Sequence, residues 1–254
     1  MSDVVLYSVD DGIATITINR PAQRNALSAG VREGLRQAWR DFESDPQARV
    51  AILTGAGDRA FCAGMDLKEA SATGIGIPPY GFVPTLGDDT RVSKPTIAAV
   101  NGIAMAGGWL MAQMCDLCLA AEDAVLAITE VKVGRGTPWA APLVHMLPQR
   151  ICMEVLLTGE PISAQRLYEL GYLNRVLPRE QLMTEAVAMA RRIAANAPLT
   201  VNACRELVYM STEMGRSAAL RTGHKLFEPV YSSADAQEGP RAFAEKRAPQ
   251  WRGI

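Results

Sequence analysis

One local pattern occurs twice in this chain and limits what it can fold into: a continuous apolar run, a glycine-containing turn, then a helix-forming segment. The first copy runs from RVAILTG through FCAGMDLKEA, the second from PTIAAVNG through AMAGGWLMAQ. Short apolar runs closed by glycine read as buried strands. The uncharged stretch after Gly108 is apolar nearly all round, which predicts a buried helix. Strands alternating with helices place the chain in the α/β class. A strand–strand–helix order recurs through the N-terminal part of the chain and predicts stacked turns of that unit.

The remaining segments fit this frame. VVLYSVDDGIATITINR predicts a hairpin, with Asp10, Asp11 and Gly12 supplying the turn. NALSAGVREGLRQAWRDFESDP places Val31, Leu35, Ala38 and Phe42 on one stripe, with Pro46 just beyond, and predicts a helix. DLCLAAEDAVLAITE predicts two more short strands. From about Ile151 the pattern is mostly helical, over residues 152–158, 164–170, 182–195 and 199–214. Residues 73–90, TGIGIPPYGFVPTLGDDT, form a Gly/Pro-rich loop long enough to suspect a lid.

Composition excludes several classes. The chain carries 26 Lys and Arg against 27 Asp and Glu, with no basic block. The electrostatic footprint of a nucleic-acid binder is missing, although a small basic patch around an anionic ligand remains compatible. No apolar run reaches membrane-spanning length. MSDVVLYSVDDG alternates like a strand and lacks a basic leader, so no signal peptide is expected. The five cysteines are odd in number and scattered, which predicts free thiols in a reducing, cytoplasmic compartment. Cys115 and Cys118 form a C-x-x-C without a second such pair, and no metal site is expected. They read as two small buried residues flanking Asp116.

The glycine turns, FCAGMD and MAGGWL, each lead from a buried strand into a helix. First-turn helix N–H groups lack internal partners, and glycine permits tight bending and close ligand approach. Two such turns facing one another would make a two-donor oxyanion hole. Spacing alone equally allows two tight strand-to-helix turns with no chemistry.

Several segments in order resemble the crotonase superfamily, the enoyl-CoA hydratases and isomerases. They are NRPAQRNALS, FCAGMDLKE, KPTIAAVNGIAMAGG, CDLCLAAEDA, LTGEPISAQRLYELGYLNRVLP and DAQEGPRAFAEKR. The resemblance covers essentially the whole chain. It implies a spiral of ββα units over residues 1–195 and a C-terminal helical region, 196–254, that builds trimers, often paired into hexamers. It implies an acyl-CoA thioester substrate, with coenzyme A as part of the substrate and no separate cofactor. The backbone N–H groups of Met65 and Gly107 become the oxyanion donors, with Gly108 and its helix aimed at the same oxygen. Arg24, Ala26, Ala60, Cys62, Lys68, Phe243 and Lys246 become the CoA contacts.

Hydratases of this family use two glutamates to hold and activate water. By resemblance one falls at Glu130 and the other at Leu110, which cannot carry a proton. The monofunctional 3,2-enoyl-CoA isomerases look like this chain, with Ala-Gly-Gly, one residue, then leucine. The expected reaction is therefore double-bond isomerisation with Glu130 as sole base. Hydration or hydrolysis with an unidentified second group is the nearest alternative, and a non-catalytic acyl-CoA-binding or scaffold protein is another. Trp109 and Trp139 are candidates to shape the acyl pocket. Arg135 could depress Glu130 or bind an acidic acyl group, and Glu69, Asp88 or Asp89 could supply a second acid. His145 reads as a packing residue.

Overall fold

The computed structural model describes residues 4–74 and 76–254. Residues 1–3, part of the segment read as lacking a leader, and Ile75 of the expected lid lie outside the described residues.

The N-terminal hairpin forms as its turn residues require. β1 (Val5–Asp10) pairs antiparallel with β2 (Ile13–Ile18). Asp11 and Gly12 between them have φ of 48° and 75°, the positive pair that matches a two-residue turn to strand twist. α1 (Ala29–Ser44) follows, started by Ser28, whose hydroxyl accepts the Val31 N–H. The expected stripe is buried, and Trp39 joins it edge-on to Phe42.

β3 (Val50–Gly55), β5 (Thr96–Val100), β7 (Leu117–Ala121) and β10 (Arg175–Leu177) add in parallel to β2, giving a six-stranded sheet in the order β1-β2-β3-β5-β7-β10. β3 and β5 are buried along their whole length, as parallel strands covered on both faces must be. α6 (Arg179–Ala194) lies over this sheet through Leu182, Ala186 and Ala190, a stripe four residues apart.

Parallel neighbours need crossovers, and here several crossovers drop a short strand into a second sheet. β4 (Ala60–Cys62), β6 (Ile103–Met105), β8 (Val125–Ala127) and β9 (Ile162–Ser163) form it in that order, the first three parallel. α2 (Leu67–Thr73) follows β4, and α3 (Gly107–Gln113) follows β6. The stacked strand–strand–helix turns are thus present, but β4 and β6 were not anticipated from the sequence.

The C-terminal part holds α4 (Gln149–Thr158), α5 (Ala164–Glu169), α7 (Pro198–Glu213), α8 (Arg216–Tyr231) and α9 (Ala234–Ala244). Asp116, at the foot of β7, ties α7 to the sheet. Its carboxylate accepts from the Thr96 N–H and hydroxyl, from Arg205 Nε and from the Tyr209 hydroxyl. Trp251 Nε1 donates to Ala195 O, and Arg49 donates to Trp251 O and Ala194 O, so the C-terminal tail is held at the start of β3. Among the described residues no helix is long and apolar enough to cross a membrane. Cys115 and Cys118 are buried, and burial pushes the Cys118 thiol up to about 12.

Candidate active site

The site is set out by the C-terminal ends of three adjacent parallel strands. β4 ends at Cys62 and delivers Met65, β6 ends at Met105 and delivers Gly107, and β8 ends at Ala127 and delivers Glu130. Residues far apart in sequence therefore leave one sheet edge side by side. Ala106 N–H donates to Ala127 O at 2.8 Å, which fastens the second glycine turn to the strand that presents Glu130.

The two glycine turns touch. A Cβ on Gly64 would lie 2.8 Å from Met105 O and 3.5 Å from Gly107 N; one on Gly107 would lie 3.8 Å from Gly64 Cα. Leu27 binds the first turn from outside. Its N–H donates to Gly64 O at 2.8 Å, and its carbonyl accepts the Asp66 N–H at 3.4 Å. Neither the Met65 nor the Gly107 N–H has an acceptor among the described residues. Unpaired donors on touching turns are what an oxyanion hole requires.

A support beneath these turns was not singled out from the sequence. Asn25 is fully buried in the left-handed region, with φ of 56°. Its Nδ2 donates to Ala56 O and Ala60 O, and its Oδ1 accepts the Arg20 N–H. Arg20 Nη1 donates to Ala26 O and to the Asp66 carboxylate, both at 2.9 Å. The NRPAQRNALS segment carried this signal, since a short polar side chain is what tolerates positive φ.

Glu130 is half-buried, and its Oε2 is buried with no hydrogen-bond partner. Burial raises its pKa above the usual carboxylate value. Its own N–H, the Trp139 indole and the Thr129 N–H pull the other way. A carboxylate that is raised by desolvation and has one free oxygen is suited to accept a proton. The Arg135 guanidinium donates to Gly76 O of the Gly/Pro-rich loop at 3.1 Å, and its backbone N–H donates to the Glu130 carbonyl at 2.9 Å.

The other candidate acids are engaged locally. Glu69 accepts the Ala29 N–H and pairs with Arg32. Asp88 accepts the Tyr80 hydroxyl, and Asp89 accepts the Thr85 N–H and the Thr90 hydroxyl. The expected lid is tethered at Gly81, whose carbonyl accepts from Arg36, and at Phe82, whose ring lies 4.0 Å from the Arg32 guanidinium. His145 is exposed, so its expected packing role is corrected.

Leu110 is 3 % exposed and belongs to the main core. Trp109 corrects its expectation. Its ring is fully buried, edge-on to Tyr172 with centroids 5.6 Å apart, so it fills the core rather than facing an acyl chain. Successive helix residues diverge by about 100°, and α3 is buried all round, so Trp109 was free to point inward. Trp139 is half-buried, and its indole lies near the Glu130 carboxylate.

Of the CoA candidates, Arg24, Ala26, Ala60, Cys62 and Lys68 share one edge. Arg24 O accepts the Ala63 N–H at 3.0 Å. Arg24 and Lys68 are exposed, whereas Ala26, Ala60 and Cys62 are buried. Phe243, 87 % exposed, and Lys246 sit at the end of α9. The tail that follows them is anchored to Arg49 and Ala195 through Trp251.

Fold and site define a class, the α/β crotonase fold with paired backbone donors beside one carboxylate. Residues 8–253 match the enoyl-CoA hydratase/isomerase family. An enoyl-CoA hydratase of Mycobacterium tuberculosis is 40 % identical over 251 residues, spanning 93 % of this chain and 91 % of that protein. A carnitinyl-CoA dehydratase of Salmonella typhi is 37 % identical over 262 residues, spanning all of both chains. The crystal structure of an enoyl-CoA hydratase from Mycobacterium marinum superposes with a TM-score of 0.91 at 39 % identity, covering 100 % of each chain. The chain belongs to the enoyl-CoA hydratase/isomerase family and is an enzyme of that class, acting on CoA thioesters.

Proposed function

We propose that this enzyme moves the double bond of a 3-enoyl-CoA to the 2-position, with Glu130 as its sole base. Glu130 takes a proton from C2. The electrons delocalise onto the thioester oxygen, which the Met65 and Gly107 N–H groups hold. Glu130 then returns the proton to C4, and the double bond lies between C2 and C3. Each donor to such an oxyanion is worth roughly 3–4 kcal/mol. The observation that carries this reading is Leu110: the position expected for a second acid is a buried leucine in an apolar helix.

Hydration is the second reading. It is favoured by the relatives, which are named hydratase and dehydratase, one of them an (E)-benzylidenesuccinyl-CoA hydratase of Thauera aromatica that is 35 % identical. The deciding experiment follows 3-enoyl-CoA and 2-enoyl-CoA in the ultraviolet over several acyl chains. Isomerisation should far exceed hydration, and robust hydration by the wild-type protein would overturn the isomerase reading.

Glu130→Gln should lower turnover by about 10²–10⁴-fold. A carboxylate whose folded pKa is raised contributes stability that is full below its unfolded pKa and lost as pH rises through the folded value. The same substitution should therefore raise Tm at neutral pH, and the gain should vanish in acid. Thermal unfolding at several pH values checks this. Leu110→Glu should give modest hydratase activity at a stability cost of a few kcal/mol, because it buries an acid in the core.

A trimer or hexamer is part of the same proposal. Val131, Val133, Val144, Met153 and Leu157 are exposed around α4 and the turns beside Glu130, and such clusters favour burial against another copy. Phe243 and Lys246 would then reach a CoA from a neighbouring copy. A monomer by light scattering at micromolar concentration would overturn this part.

A further inference from the structure

We propose that Arg20 and Asp66 are positioning residues for the oxyanion hole, and that their ion pair fixes the direction of the Met65 N–H. This rests on the reading of that N–H as a donor to the thioester oxygen. The segment before α1 runs beside the first glycine turn, where Leu27 and Met65 form an isolated parallel bridge. Its two bonds use the residues flanking Met65. Leu27 N–H donates to Gly64 O at 2.8 Å, and Asp66 N–H donates to Leu27 O at 3.4 Å. A parallel bridge of this pattern turns the N–H of the bridged residue away from its neighbour, so the bridge aims the Met65 N–H. The bond on the Asp66 side is long for N–H···O, and that side needs a second hold.

Arg20 supplies it. One nitrogen, Nη1, donates to Ala26 O and to Asp66 Oδ2, both at 2.9 Å, and so spans the two sides of the bridge. Asp66 Oδ1 accepts the Lys68 and Glu69 N–H groups at 3.2 and 3.3 Å. One carboxylate therefore caps α2 with one oxygen and fastens Met65's flank with the other. Arg20 is itself fixed to Asn25. Its N–H donates to Asn25 Oδ1, and its carbonyl accepts the Asn25 N–H, both at 2.9 Å. Asn25 Nδ2 donates to Ala60 O, at the start of β4, at 2.7 Å. The donor's strand is thus held before the turn by Asn25 and after it by Arg20.

The Arg20 and Asp66 side chains are 18 % and 15 % exposed. Desolvation offsets much of the attraction of so enclosed a pair, so stability alone is a weak reason for it. Geometry is what it adds. The Arg20 guanidinium also holds the Asp66 carboxyl below the usual carboxylate range, which keeps the pair ionised near neutral pH. An oxyanion donor acts through preorganisation, and small misplacements are costly.

The test uses Asp66→Asn, Arg20→Gln, Arg20→Lys and the double variant Arg20→Gln/Asp66→Asn. Asparagine caps a helix as well as aspartate does, so Asp66→Asn removes the charge pair and keeps the cap. The direct readout is the infrared carbonyl band of bound butyryl-CoA, labelled with carbon-13 at the thioester carbonyl. Turnover of enoyl-CoA and Tm are measured alongside. In the wild-type protein the band should lie below that of free butyryl-CoA. In Asp66→Asn and Arg20→Gln it should move back toward the free value, with kcat lowered about tenfold and KM within about threefold. The double variant should be no worse than the poorer single one, because both remove one contact. Arg20→Lys, which keeps the charge, should retain most of the band shift.

A wild-type band position in both single variants, whatever their Tm or kcat, would overturn the role of the pair and leave the hole intact. A wild-type band equal to that of free butyryl-CoA would overturn the Met65 donor itself, and the pair's role with it.

Discussion

The two glycine turns look alike in sequence and are built on different physics. In the first, Gly64 has φ of 84°, and a Cβ there would meet Met105 O at 2.8 Å, so conformation and contact both demand glycine. In the second, Gly107 and Gly108 do not fall in the left-handed region. The residue that does is Ala106, at φ of 52° and ψ of −116°, where glycine is normally found. Gly108 is required instead by space, since its Cβ would lie 2.0 Å from Cys62 O. One turn places its special conformation on a glycine. The other places it on an alanine and spends its glycines on close packing. Strain of that kind, about 1–3 kcal/mol, persists where surrounding contacts over-determine the backbone, and here the Ala106 N–H bond to Ala127 O does so.

Substitutions sharpen this contrast. Gly108→Ala should do most damage, because backbone cannot yield to the new methyl. A loss of roughly 3 kcal/mol or more is expected, and a wild-type Tm would show that the turns do not pack as described. Gly64→Ala comes next, at about 2 kcal/mol, from positive φ together with the Met105 O contact; chemical denaturation and binding of an acyl-CoA should both register it. Ala106→Gly is the smallest and has the opposite sign. Relief of strain is partly offset by about 0.5–1 kcal/mol of added chain entropy in the unfolded state. The net expectation is a stabilisation of no more than about 1 kcal/mol, with a Tm unchanged or raised by ~1–3 °C. A lower Tm would mean that Ala106 is not strained.

Much of the site was legible because its parts are local. A glycine between an apolar run and a helix marks a turn, and Glu130 closes a strand pair, so the segments that carry Met65, Gly107 and Glu130 could be placed locally, while the roles expected of those three residues came from the family resemblance. The hairpin turn at Asp11–Gly12 and the α1 stripe were equally plain, since each depends on residues within a few positions. The support under the turns was less so. Asn25 works by reaching Ala56 and Ala60, and a single polar residue in a loop does not announce such distant partners.

The C-terminal helices α8 and α9 were expected only as a helical region without bounds, because Pro229 and Pro240 lie inside them and interrupt the periodic signal. By itself the sequence determined the α/β class, the alternation of strands and helices, the positions of the turns and the family. The tertiary structure decided the rest: that β4, β6 and β8, each too short to carry a period, pair in parallel and bring three chemical groups to one edge; and that Trp109 turns into the core while Trp139 lies beside Glu130. The physical reason is range. Periodicity and turn chemistry act over a few residues, whereas strand pairing and the inward or outward choice of a ring depend on contacts between segments that only the folded chain brings together.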